Sequence, residues 1–199
     1  MTNQKTQKSS LNDSSKRLFE INGKPLAKNH SFIDVRISQD RTRGFVAGMI
    51  KCERGCRERN QPPVTVGGNY PIDKGLHIPA KEFLEMRAIL DTAAKAKRMK
   101  LDEVTIYVEN ADLVELLNNE ENIYTARYNE TLAKLEIKVD IVYIRSRTTK
   151  DDGSKMVKSL TKTSLNRYEN KNKIKDSIKI QKQIELESRS NSLVGEDDW

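Results

Sequence analysis

Cysteine is scarce: Cys52 and Cys56, in the run Cys-Glu-Arg-Gly-Cys, are the only two. A structural zinc needs four ligands, and no second pair or nearby histidine completes this one. The two read as reduced thiols at a hairpin end, which suits a cytoplasmic setting. Histidine is equally rare, and His77 has no partner at ligand spacing. No run of about 18 apolar residues occurs, so no membrane span is expected. Residues 1–16 lack the apolar centre of a secretory signal.

Charge is what the chain has in abundance. Of its 199 residues 33% are charged and only 36% hydrophobic, and the mean hydropathy is -0.74. Weakly apolar, charged segments cannot repay their ordering entropy, so a packed core of roughly 120–130 residues with soft ends is expected. The net charge of +7 favours a polyanionic partner. It does not by itself choose between nucleic acid and an anionic surface.

Residues 1–29 are rich in Ser, Asn, Gln and Lys and read as a mobile arm that folding does not need. From Ser31 the pattern alternates, with Ile33, Val35 and Ile37 on one face of a strand over 31–38. A turn at 39–43 leads to a second strand over 44–52. Val64-Thr65-Val66 is a short third strand, ended by Gly67-Gly68 and Pro71. A helix over Ala80–Met99 follows, with Phe83, Met86, Leu90 and Ala93 as its apolar face. Val104–Val108 is apolar on both faces, as a central strand should be. Short helices over Ala111–Leu117 and Tyr124–Leu135, a strand over Ile137–Ile144, a basic loop over 145–150 and a helix near Ser154–Asn166 complete the order.

Three carboxylates stand at informative places in that order. Asp34 lies in mid-strand, Glu82 opens the long helix, and Glu109 ends the central strand. Converging acids of this kind are what a divalent-metal site for phosphodiester chemistry requires, and their mutual repulsion should raise at least one pKa. Each also has a plainer reading. Asp34 and Glu109 could be surface charges, Glu82 an ordinary first-turn acid, and Glu85 is a rival for its role.

Three meandering strands, then helix, strand, helix, strand and helix, resemble the ribonuclease H-like superfamily over about residues 31–166. The resemblance rests on the first-strand Asp34, on Glu82-Phe83-Leu84 opening the first helix, and on Glu109-Asn110-Ala111-Asp112 after the fourth strand. It implies an α/β fold, a three-stranded antiparallel meander extended by parallel strands with flanking helices. It also implies that Asp34, Glu82 and Glu109 are catalytic and hold Mg2+ or Mn2+ for cleaving RNA in RNA–DNA hybrids. The sequence departs from the family's pattern in four places, one being the family's flexible His loop, which Arg145-Ser146-Arg147-Thr148-Thr149-Lys150 replaces. Val35 and Arg36 follow the first acid, Glu109 stands for an Asp, and Lys158 falls where a fourth acid belongs.

Three segments are thus expected: an arm over 1–29, the ribonuclease H-like domain over 30–166, and a basic, partly helical or disordered tail over 167–199. Lys155, Lys158, Lys162, Arg167, Lys171, Lys173 and Lys175 are the expected nucleic-acid contacts. Ile174, Ile178 and Ile184 form a thin apolar stripe among the lysines, and residues 195–199 form an acidic tip with the sole tryptophan. Two functions remain open: a metal-dependent nuclease, and an inactive adaptor of the same fold that binds nucleic acid or a protein partner.

Overall fold

The computed structural model describes residues 20–21, 24–52, 63–119, 121–145 and 152–193. In chain order its elements are β1 (Glu20–Ile21), β2 (Lys24–Pro25), β3 (His30–Ile37), β4 (Arg43–Lys51) and β5 (Val64–Pro71). Then come α1 (Ala80–Arg98), β6 (Glu103–Val108), α2 (Ala111–Leu117), α3 (Ile123–Ala133), β7 (Lys138–Tyr143) and α4 (Asp152–Leu193). Cys56, residues 146–150 of the basic loop and the acidic tip lie outside the described residues.

Five strands form one sheet in the order β5-β4-β3-β6-β7. β3, β4 and β5 are antiparallel neighbours, while β6 runs parallel to both β3 and β7. This is the α/β arrangement that the resemblance implies. The alternation read in β3 decides its two faces. Ile33, Val35 and Ile37 join the larger core under α1, α2 and α3, with Val104, Ile106 and Val108 of β6. Phe32 and Tyr107 turn the other way, into a smaller core with Met49, Ile144 and Val157 of α4.

Helix α1 lies close over β4 because two glycines open the strand beneath it. A Cβ at Gly44 would strike the Leu84 side chain, and one at Gly48 would strike the Thr92 hydroxyl. The close approach also settles the helix's rotation. The expected apolar face, Phe83, Met86, Leu90 and Ala93, is only part of what is covered. Glu82, Glu85, Ile89, Thr92 and Ala96 are buried as well, so two acids face inward.

Three expectations need correction. β5 does not stop at Gly67-Gly68 but continues to Pro71, with Gly67 opposite Ala47 and Gly68 opposite Val46. An edge strand tolerates glycine within it and proline at its end, where no further ladder bond is needed. The last helix does not end near Asn166. It runs unbroken across the expected domain boundary, and at 1.5 Å per residue its 42 residues extend about 63 Å. Tyr168 and Glu169 hold it to the β3–β4 turn. The Tyr168 ring lies 5.5 Å from that of Phe45, and Glu169 accepts a bond from the Gln39 amide at 3.2 Å.

Third, residues 24–29 of the segment expected as an arm belong to the fold. β1 pairs with β2, Leu26 packs on the smaller core, and the Ala27 amide donates to the Tyr107 hydroxyl at 3.2 Å. The Asn29 carbonyl accepts from the Thr105 amide at 2.9 Å. Deleting residues 1–28 is therefore expected to lower the thermal midpoint by several degrees, since it uncovers apolar surface beside Tyr107. Calorimetry of the truncated chain measures this. Gly48→Ala should cost about 1–3 kcal/mol through overpacking against α1. Adding Thr92→Ala, which removes the struck hydroxyl, should restore most of that loss, a coupling that a double-mutant cycle reads directly.

Candidate nucleic-acid interface and acid centre

The expected acids gather around the C-terminal end of β6, yet their side chains divide between the two faces of the sheet. Strand alternation turns Asp34 and Glu109 towards α4. The register pairs Phe32 with Tyr107, and two residues further on brings Asp34 alongside Glu109. Asp34 Oδ2 accepts a bond from the Thr161 hydroxyl and lies 3.5 Å from Arg36 Nε. That second contact is an ion pair without hydrogen-bond geometry, since Arg36 Nε has no bonded partner among the described residues.

Glu109 meets a cation. Lys158 Nζ lies 2.7 Å from Oε1 and 2.8 Å from Oε2, and Ser154 Oγ donates to Oε1 at 3.4 Å. Ser154, Lys158 and Thr161 follow one another at four and three residues, so one face of α4 meets both strand acids. The lysine side chain is 35% exposed and the glutamate 23%. A charge-assisted, two-oxygen contact of that length and burial is among the stronger ion pairs. Lys158, expected among the phosphate contacts, is thus turned to Glu109.

Glu82 and Glu85 come from α1 on the opposite face. The Asn110 side-chain amide joins them, donating to Glu82 Oε1 at 3.0 Å and to Glu85 Oε2 at 2.6 Å. Its own oxygen caps α2 by accepting from the Asp112 amide at 3.2 Å. Glu82 Oε2 is buried with no bonded partner among the described residues. The Glu85 carboxyl is pushed up to about 7, first by burial. The bond from Asn110 and the Lys81 charge oppose that shift, and the charges of Glu82 and Asp34 add to it. Glu85, the rival of Glu82 for the site, thus feels the charge of the first-strand acid.

Among the described residues, no three of His, Cys, Asp and Glu stand together so as to hold a metal ion. Asn110, Ser154 and Thr161 were not singled out from the sequence. The spacing of the last two from Lys158 was the available signal, once a helix was expected there. Lys155, Lys162, Arg167, Lys171, Lys173 and Lys175 are all exposed on α4. No described helix is long and apolar enough to cross a membrane.

No family model matches the chain, and no curated protein matches it. Among solved structures it is similar to RNase H1 from the halophilic archaeon Halobacterium salinarum NRC-1. The identity is 12% and the TM-score 0.44, over 62% of this chain and 89% of that one. A likeness of that degree carries no argument about chemistry. The α/β arrangement rests on the strand order of this chain itself.

Glu85 gives the centre a pH signature. Its folded pKa of about 7 lies above the ordinary 4.5, so the folded chain binds more protons than the unfolded one between those values. Stability from this group is greatest below pH 4.5, falls as pH rises towards 7, and is level above. Glu85→Gln should remove that descent and raise the thermal midpoint at pH 8 relative to wild type. Thermal midpoints of both proteins from pH 4 to 8 test this, and identical slopes would show that Glu85 titrates normally.

Proposed function

We infer that this is a ribonuclease H-like domain that binds nucleic acid without cutting it. The observation that carries the reading is the Lys158 ammonium on both oxygens of Glu109. By the resemblance, the residue at this place in the last helix would be a further acid. A divalent ion would need the same Glu109 oxygens and would meet a positive charge beside them. The remaining acids are split between Thr161 and Arg36 on one face and Asn110 on the other. These residues do not fit a pair of magnesium ions.

Binding is supported by charge and shape. The chain carries +7 overall, and α4 presents its cations on exposed positions. Cations that neutralise phosphates release counterions, so affinity follows from charge number and falls with salt. At 100° per residue the expected contacts separate. Arg167, Lys171 and Lys175, continued by Lys179 and Lys182, share one edge of the helix. Lys155, Lys162 and Lys173 share another. The adaptor reading extends to a protein partner because Ile174, Ile178, Ile180 and Ile184 are all exposed on the same segment.

The test combines turnover with binding. Purified wild type is expected to leave a labelled RNA–DNA hybrid intact in Mg2+ or Mn2+, and to bind nucleic acid as well in EDTA as without it. Replacing Lys175, Lys179 and Lys182 together by Ala should lower the logarithmic salt slope for a single strand by about two, at roughly 0.7 per contact. Lys158→Asp should acquire a metal-induced rise in thermal midpoint that wild type lacks. Turnover of the hybrid by wild type, lost in Glu82→Gln or Glu85→Gln, would establish the nuclease reading instead.

A further inference from the structure

A groove of about 560 Å³ runs between α4 and the exposed side of the sheet's edge. Its polar and charged lining comes from Thr65 and Asn69 of β5 and from Ser164, Arg167 and Lys171 of α4, with Gly67 in its floor. Among the described residues no carboxylate lines it. Neither Arg167 nor Lys171 has an ion-pair partner among the described residues.

Gly67 is the informative residue. Glycine inside a strand weakens it, and it usually answers a bulge, a bend or the close approach of another group. Here the register with β4 is unbroken through Ala47 and Gly67, and the backbone is not in the left-handed region. Nor does the chain itself crowd the position. The nearest atom to a Cβ there would be the Val46 carbonyl oxygen, at an ordinary 3.5 Å. Gly44 and Gly48 differ, since α1 occupies the space above each. What Gly67 leaves clear is the groove.

We propose that one strand of a single-stranded nucleic acid lies in this groove, against the bare backbone of Gly67, with its phosphates on Arg167 and Lys171. The inference rests on the nucleic-acid reading above and narrows it to a site and a strandedness. Charge selects the occupant. Arg167, Lys171, Lys175 and Lys179 follow at four-residue steps and Lys182 at three, which places a cation about every 6 Å along one helix edge. A regularly charged polymer suits such a ladder better than a peptide with scattered acids. The Tyr168 ring also borders the groove, where a base has an aromatic edge to stack against. Duplex binding would instead use the outer lysines and leave the floor untouched.

Gly67→Glu tests the site, because the position is exposed and a Cβ there meets only the Val46 carbonyl oxygen at an ordinary 3.5 Å. Fluorescence anisotropy with a short labelled single strand and with an RNA–DNA hybrid gives the readout, with thermal midpoints measured in parallel. Gly67→Glu is expected to weaken single-strand binding at least tenfold at an unchanged thermal midpoint, while hybrid binding stays within twofold. Arg167→Ala and Lys171→Ala should each weaken the single strand several-fold and lower its salt slope, and they supply the test if Gly67→Glu does not fold. If wild type binds a hybrid but no single strand, or if Gly67→Glu or, failing it, both α4 variants bind single strands as wild type does, this inference falls and the nucleic-acid reading stands. If wild type binds neither, the nucleic-acid reading falls with it. Polyglutamate competing as well as the oligonucleotide would assign the groove to an acidic protein segment.

Discussion

The contact between Lys158 and Glu109 holds the arrangement together. It joins the end of strand β6 to α4, the one described helix on that side of the sheet. It lies beside Asp34, which Thr161 holds from the same helix face. Removing either partner would leave a half-buried charge without its counter-charge, which costs more than an intact pair contributes. Over Phe32, Tyr107 and Ile144, α4 is thus held by that helix face together with the small apolar core beneath it. An ion placed at Glu109 would need the same oxygens that fasten the helix.

The two faces of the sheet are built differently. Under α1 the packing is close, with Leu84 and Thr92 set into spaces left by Gly44 and Gly48. That closeness drags Glu82 and Glu85 inward, and Asn110 has to serve both of them. The two N–H groups of that side-chain amide serve one carboxylate each, and it is burial, with the neighbouring acids, that raises Glu85 against this bond. The α4 face is looser and ends in an open groove. The closely packed side thus carries the raised Glu85 carboxyl and the open side the exposed cations of α4.

The order of elements was legible in the sequence because period-two and period-3.6 patterns are local. β3, α1, β6 and α2 fall within a residue or so of where periodicity places them. What periodicity could not show is how far an element continues when its neighbour decides. β5 passes through two glycines because β4 supplies the ladder, and residues 24–29 are ordered because Tyr107 and Thr105 meet them. The acids were visible as residue types at strand and helix ends. Their pairing was not, since whether Glu109 meets a metal ligand or Lys158 depends on the rotation of a helix 49 residues away. Glu85 was visible only as a rival to Glu82, and the crowding over Gly48 is what turns both inward.

Beyond Asn172 the side chains of α4 are exposed as far as they are described, so this part of the helix stands on local propensity alone. Lys171, Lys175 and Lys179 repeat at four residues, and like charges so placed oppose the helix that carries them. Salt then acts on the segment twice and in opposite directions: it screens the repulsion and firms the helix, while it weakens the hold on any polyanion. An anion laid along the lysine edge escapes that conflict, because it removes the repulsion and is bound by the same charges. On the nucleic-acid reading proposed above, occupancy and helical order would reinforce each other along the outer part of α4.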